Sequence, residues 1–109
     1  MEDAIFTRVS IREFTDEPVS DEQVERLMEA AMAAPSAGNQ QPWEFVLTRD
    51  SQVKEELAAC SPYAHPAGKC DLVIVPCISG GEKRFEGCVP LDMSACTENI
   101  LLEAQTLGL

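Results

Sequence analysis

The stretch from Ala34 to Phe45 constrains this chain's architecture more than any other. Val24, Leu27, Met28, Ala31 and Ala34 form a narrow apolar stripe at helical spacing, which runs up to Pro35, a residue that cannot continue a helix. Small and amide residues follow as far as Pro42. Trp43, Phe45 and Leu47 then alternate with Glu44, Val46 and Thr48 at the period of a strand. The chain therefore changes from helix to strand across a turn without bulk or charge but rich in hydrogen-bonding groups. Such a turn is either a plain connection or a surface that lays its backbone and amides against a flat polar ligand.

The helix entering the turn carries clear start signals. Ser20 and Gln23 form a capping box, Val19 and Val24 are placed for a hydrophobic staple, and Asp21 and Glu22 put negative charge at the positive end of the helix dipole. Met28 and Met32 read as core filler. Upstream, Asp3 is placed to cap a short helix over residues 4–7, and residues 15–18 read as a turn. Between them, Arg8, Ser10 and Arg12 occupy alternate positions. In extended backbone they face one way, so two guanidiniums and a hydroxyl suit a phosphate or an electron-rich ring edge, or equally salt bridges to the abundant acids.

Downstream, Asp50 or Ser51 caps a helix through Cys60 bearing Val53, Leu57 and Ala58, on which Lys54 reads as exposed. Residues 61–69, with His65 among them, read as a loop. Residues 71–78 predict a strand covered on both faces, because they do not alternate, with Pro76 marking an edge or bulge. Residues 79–90 form a polar loop with three glycines that fits no phosphate-binding pattern. After Pro90, Asp92 begins a helix with Met93, Cys96, Ile100, Leu101, Ala104 and Leu107 on one broad face, closed by Gly108 as its C-terminal cap.

The totals narrow the function classes. A chain of 109 residues predicts one domain over 1–109. A net charge of −11, from 19 acids and 8 bases, argues against a nucleic-acid or anionic-membrane partner. No apolar run approaches the ~18 residues of a membrane helix, and the acidic start does not read as a secretory leader. Five cysteines without a Cys-x-x-Cys pair fit reduced thiols, hence a cytoplasmic protein, and no metal site is expected. No catalytic acid, base or nucleophile stands out.

The motifs together resemble a known family. Pro35-Ser36-Ala37-Gly38-Asn39-Gln40-Gln41-Pro42-Trp43 resembles the signature loop of the FMN-dependent nitroreductases. Arg8-Val9-Ser10-Ile11-Arg12 resembles that family's first flavin-binding segment, Arg-x-Ser-x-Arg, and residues 92–102 resemble its central dimer helix. The resemblance implies an α+β, nitroreductase-like fold: helices packed around a small mixed or antiparallel sheet, incomplete in this chain, which corresponds to an N-terminal part.

It also implies a homodimer in which FMN is shared between subunits and NAD(P)H is the electron donor. The acceptors are nitro compounds, quinones or related small molecules. By position, Arg8, Val9, Ser10 and Arg12 hold the phosphate, ribityl chain and pyrimidine edge, with Arg12 stabilising negative charge on the pyrimidine side. Pro35, Ser36, Ala37 and Asn39 approach the same flavin from the partner subunit. The family's loop often has serine where Ala37 stands, so a polar contact from Ala37 is expected of its backbone. The alternative reading is a non-catalytic dimeric module that binds a flavin or nucleotide.

Overall fold

The computed structural model describes residues 2–109. Four helices, α1 (Ala4–Thr7), α2 (Asp21–Met32), α3 (Ser51–Ala58) and α4 (Val89–Leu107), accompany strands β1 (Trp43–Thr48) and β2 (Val73–Ile78). The strands pair as a two-stranded antiparallel sheet, so the fold is α+β with the small sheet antiparallel. Three short 3-10 turns lie at Ala37–Asn39, His65–Gly68 and Glu86–Cys88.

The chain resolves into two compact units, one of residues 2–8, 20–44 and 76–109, the other of residues 9–19 and 45–75. The first holds every buried apolar side chain among the described residues: Leu27, Ala31 and Ala34 near α2, Pro42 and Trp43 at the entry to β1, and Val89, Cys96 and Ile100 on α4. Alanines on α2 let it approach α4 closely, and α1 packs on α4 as well. The Ser20–Gln23 capping box forms in full, with both reciprocal bonds in place. Asn99 on α4 donates to the Ala30 carbonyl at 2.9 Å, which fixes the register of the two helices.

α2 stops at Met32, two residues short of the expected end, because the residue before a proline is driven out of the α region and the last turn tightens. Met32 is 52% exposed rather than core filler, and with Val24, Met28 and Ala33 it lines an open groove on α2. α4 starts at Val89, three residues before the expected Asp92. Pro90 lies in its first turn, where the missing N–H costs nothing. Of the broad apolar face, Cys96 and Ile100 are buried within the chain, while Leu101 is 43% exposed. Gly108 closes α4 in the left-handed conformation at φ 78°, as its position predicts. Asp3 sits at the N-cap of α1 without a side-chain bond to it, while its carbonyl accepts from the Thr7 hydroxyl at 3.1 Å.

In the second unit, α3 packs on the turn at His65–Gly68, with Asp50 capping it through a 3.0 Å bond from the Val53 N–H. β2 is half-buried from Val73 to Cys77, not covered on both faces as the unbroken apolar run predicts, since a sheet of two strands consists of edges. No helix among the described residues is long and apolar enough to cross a membrane.

Candidate functional site

Residues 35–42 carry the greatest concentration of unusual backbone in the first unit. Gly38, Asn39 and Gln41 have φ of 56°, 54° and 48°, a left-handed region that costs a non-glycine residue roughly 1 kcal/mol. A row of short-range bonds holds this shape. The Asn39 N–H donates to the Ser36 carbonyl at 3.0 Å, the Gln40 N–H to the Ala37 carbonyl at 3.0 Å, and the Gln41 N–H to the Ser36 hydroxyl oxygen at 3.0 Å. Pro42 is fully buried, and its carbonyl accepts from the Ser79 N–H at 2.7 Å, which secures the end of the loop.

The long-range anchor is Asp92, on the first turns of α4 and only 5% exposed. One carboxylate oxygen accepts from the Ala37 N–H at 3.0 Å, and the other from Gln40 Nε2 at 2.7 Å. Gln40 Nε2 also donates to the Phe85 carbonyl at 3.1 Å, and Gln40 Oε1 accepts from the Phe85 N–H at 3.1 Å. The Phe85 ring then lies over Gly38 so closely that a Cβ there would stand 2.3 Å from it. Only glycine satisfies both the turn and the ring at this position. Arg84 sits over the Phe85 ring, 5.2 Å from its centroid.

The expected site residues divide between the two units. Pro35, Ser36, Ala37 and Asn39 come together on the one loop. The Asn39 side-chain amide is exposed and has no partner among the described residues, and the Ser36 hydroxyl keeps a proton to donate. The Ala37 N–H is already bonded to Asp92, so a backbone contact to a ligand falls to its carbonyl, which accepts from the Gln40 N–H and keeps a second lone pair.

Arg8 also belongs to the first unit, where its Nε lies 3.5 Å from Glu98 on α4. Val9, Ser10 and Arg12 belong to the second unit and are exposed. There the segment 9–19 is held by Asp71 Oδ2, which accepts from the Val19 N–H at 2.9 Å and from Arg49 Nε at 3.3 Å. The Val19 bond, with Arg49 beside it, keeps the Asp71 carboxyl below its ordinary value. Lys54 is half-buried rather than exposed, with its ammonium on the carbonyls of Cys70 and Asp71. Sequence reasoning missed Asp92 and Gln40 as structural partners. The one available signal was an acid near the start of an apolar helix, which reads as an ordinary cap.

Cys96 is fully buried, and burial pushes its thiol up, so it behaves as a core side chain. No group of three or more metal-ligating side chains occurs among the described residues. The donors among the expected site residues are the guanidiniums of Arg8 and Arg12, the hydroxyls of Ser10 and Ser36 and the Asn39 amide, groups suited to a phosphate or a polar ring edge.

The chain thus carries a left-handed, glycine-dependent loop between helix and strand and, on a separate segment, an Arg-x-Ser-x-Arg pattern, in an α+β fold. The profile of the nitroreductase family matches residues 5–69, and the chain belongs to that family. An Archaeoglobus fulgidus protein provisionally named NADH dehydrogenase/NAD(P)H nitroreductase is 39% identical over 96% of this chain and 61% of its own length. Among solved structures, one provisionally named NADH oxidase from Clostridium acetobutylicum superposes with a TM-score of 0.93 at 42% identity, over 96% of this chain and 63% of that one. A Desulfovibrio desulfuricans structure, provisionally named a nitroreductase and in complex with FMN, superposes with a TM-score of 0.84 at 35% identity, over 95% of this chain and 61% of that one. The chain thus spans about three fifths of the length of these relatives.

Proposed function

We propose that this chain is the flavin-holding part of an NAD(P)H-dependent FMN oxidoreductase. The observation that carries the reading is the loop at 35–42: a strained turn, pinned by its own bonds and by Asp92, that carries the Ser36 hydroxyl and the Asn39 amide without a single charge. Strain of this kind persists where the surroundings over-determine it, and it concentrates at ligand sites. Family membership and the FMN in the Desulfovibrio desulfuricans relative support the same conclusion.

The residues fit FMN by their chemistry. Arg8 and Ser10 would hold the phosphate and ribityl chain, and Arg12 would put positive charge at the pyrimidine edge. Pro35, Ser36, Ala37 and Asn39 would cover the ring from a second copy of the chain, giving a homodimer with shared sites. FMN, when bound, supplies the redox chemistry, accepting a hydride from NAD(P)H and passing electrons to a small acceptor such as a nitro compound or quinone. The protein's share is to bind, orient and shield, which agrees with the lack of an evident acid, base or nucleophile. Arg8 must exchange Glu98 for the phosphate, a modest cost because the pair is solvent-exposed.

Flavin-fluorescence quenching over a range of protein concentrations tests the reading. Saturable FMN uptake that strengthens as the dimer forms is expected. No uptake at any concentration would overturn it.

A further inference from the structure

The loop proposed to face the flavin is held by more than its own short-range bonds. Its bonds run out to a buried carboxylate more than fifty residues away, through one side-chain amide whose orientation leaves no alternative. Gln40 Nε2 faces two acceptors, Asp92 Oδ2 and the Phe85 carbonyl, while Gln40 Oε1 faces one donor, the Phe85 N–H. Turned over, the amide would set oxygen against oxygen twice and N–H against N–H once. Asp92 in turn is acceptor-only when ionised, and both its partners, the Ala37 and Gln40 N–H groups, are donors. Every polar side-chain atom in this chain of bonds, which starts at the buried Asp92, has one role that fits.

We propose that Asp92 and Gln40 are positioning residues, a clamp that joins the start of α4 and the Phe85 segment to the loop and sets where Ser36 and Asn39 stand. The inference rests on the FMN reading above and adds two residues that touch no ligand. Ala37 lies between Ser36 and Gly38, so the Asp92 bond fixes the peptide next to the Ser36 hydroxyl. Gln40 follows Asn39 directly, so its three side-chain bonds fix the peptide that carries the Asn39 amide. The Phe85 ring, held by its own backbone to Gln40, closes over Gly38 between the two. The short-range bonds shape the turn with its three left-handed residues, and these long-range bonds tie that turn to the rest of its unit.

The donor and acceptor pattern supplies a test that simple loss of stability does not mimic. Asp92→Asn keeps an oxygen for Ala37 but turns an NH2 towards Gln40 Nε2, donor against donor. Gln40→Glu keeps an oxygen for the Phe85 N–H but sets its other oxygen against both the Asp92 carboxylate and the Phe85 carbonyl. Asp92→Asn with Gln40→Glu restores a donor facing an acceptor. Each variant is compared with the wild type by FMN titration, by the visible circular dichroism of bound flavin, and by amide exchange without flavin.

Each single variant is expected to bind FMN at least tenfold more weakly, to alter the flavin dichroism, and to exchange faster in peptides over 35–42 and 84–88 but not in α3. The double variant should bind more tightly than Gln40→Glu alone, because it repairs the contact at position 92 while the Phe85 carbonyl contact stays lost. Single variants with wild-type affinity, or a double variant no better than Gln40→Glu alone, would overturn the clamp. Should Asp92→Asn fail to fold, Gln40→Met, which keeps the Asp92–Ala37 bond and removes the Phe85 tether, must show the same loss or the proposal falls. A wild-type protein that takes up no FMN sinks the underlying reading instead. The exchange data, collected without flavin, then still decide whether Asp92 and Gln40 hold the loop.

Discussion

Asp71 and Arg49 grip Val19 from both sides of its backbone: the Asp71 carboxylate accepts its N–H at 2.9 Å, while an Arg49 guanidinium nitrogen donates to its carbonyl at 2.6 Å. The two side chains also bond each other at 3.3 Å, so three groups close a small ring around one residue. Val19 ends the segment that carries Ser10 and Arg12, and this ring is what ties that segment to its unit.

The ring makes the segment sensitive to acid. The Val19 N–H and the Arg49 charge hold the folded Asp71 pKa below its reference of 3.8. A depressed carboxyl pKa stabilises the fold fully above the unfolded value, and the contribution is lost as pH falls through the folded one. Protection of the Val19 amide, followed by exchange-detected NMR, should therefore hold at neutral pH and fall as the pH drops below about 3.8. Asp71→Asn should be less protected at neutral pH and lose that dependence. Equal acid sensitivity in the two proteins would assign it elsewhere.

Gly38→Ala should destabilise the protein by roughly 1–2 kcal/mol for the left-handed backbone, with a further cost for displacing the Phe85 ring. Removing the ring separates the two effects. Measured on a Phe85→Ala background by urea unfolding, the same substitution should cost only the backbone part. An equal cost on both backgrounds would mean that the ring does not press on Gly38 in solution.

Local chemistry was legible in the sequence, and long-range partnership was not. The Ser20–Gln23 box and the Gly108 cap depend on residues three to five positions apart, so the sequence states them outright. The helix-to-strand switch was equally plain, because Pro35 and Pro42 leave the backbone few choices. Asp92 has the composition of a cap and the role of a buried anchor, and what decides between them is an N–H presented 55 residues away. Lys54 misled for the same reason, since its long stem reaches back to carbonyls that no helical pattern reveals. The expected site residues were named from a motif, whereas the proposed clamp behind them has none.

Arg12→Ala should weaken FMN binding at least tenfold, because a charge-assisted bond contributes roughly 1.5–3 kcal/mol. Arg26→Ala, which breaks only the Arg26–Glu103 pair between α2 and α4, serves as the control. Equal affinities for the two variants would remove Arg12 from the site.

Glu98→Gln should act in the opposite direction. The carboxylate lies 3.5 Å from Arg8 and competes for it with an incoming phosphate. Exposed pairs contribute up to about 1 kcal/mol, so affinity should rise by up to about fivefold. A fall in affinity would show that Glu98 orients Arg8 for its ligand.

Leu101→Glu tests the shared site from a distance. Leu101 is exposed on α4, away from the face that buries Cys96 and Ile100. Paired with its twin it would be covered, and a ligand that binds only the dimer also stabilises it by mass action. Sedimentation and FMN titration on this variant should show dimer fraction and affinity falling together. A monomer with full affinity would place the whole site within one chain.

The most direct measurement of the central claim is the visible absorbance of the protein incubated with FMN, freed of unbound flavin and then titrated anaerobically with NADH and NADPH. A protein that stays yellow, bleaches with a reduced nicotinamide and regains its colour on adding a quinone or nitro compound is what an FMN oxidoreductase must give. A protein that leaves the column colourless, or holds a flavin that neither nucleotide reduces, would contradict it.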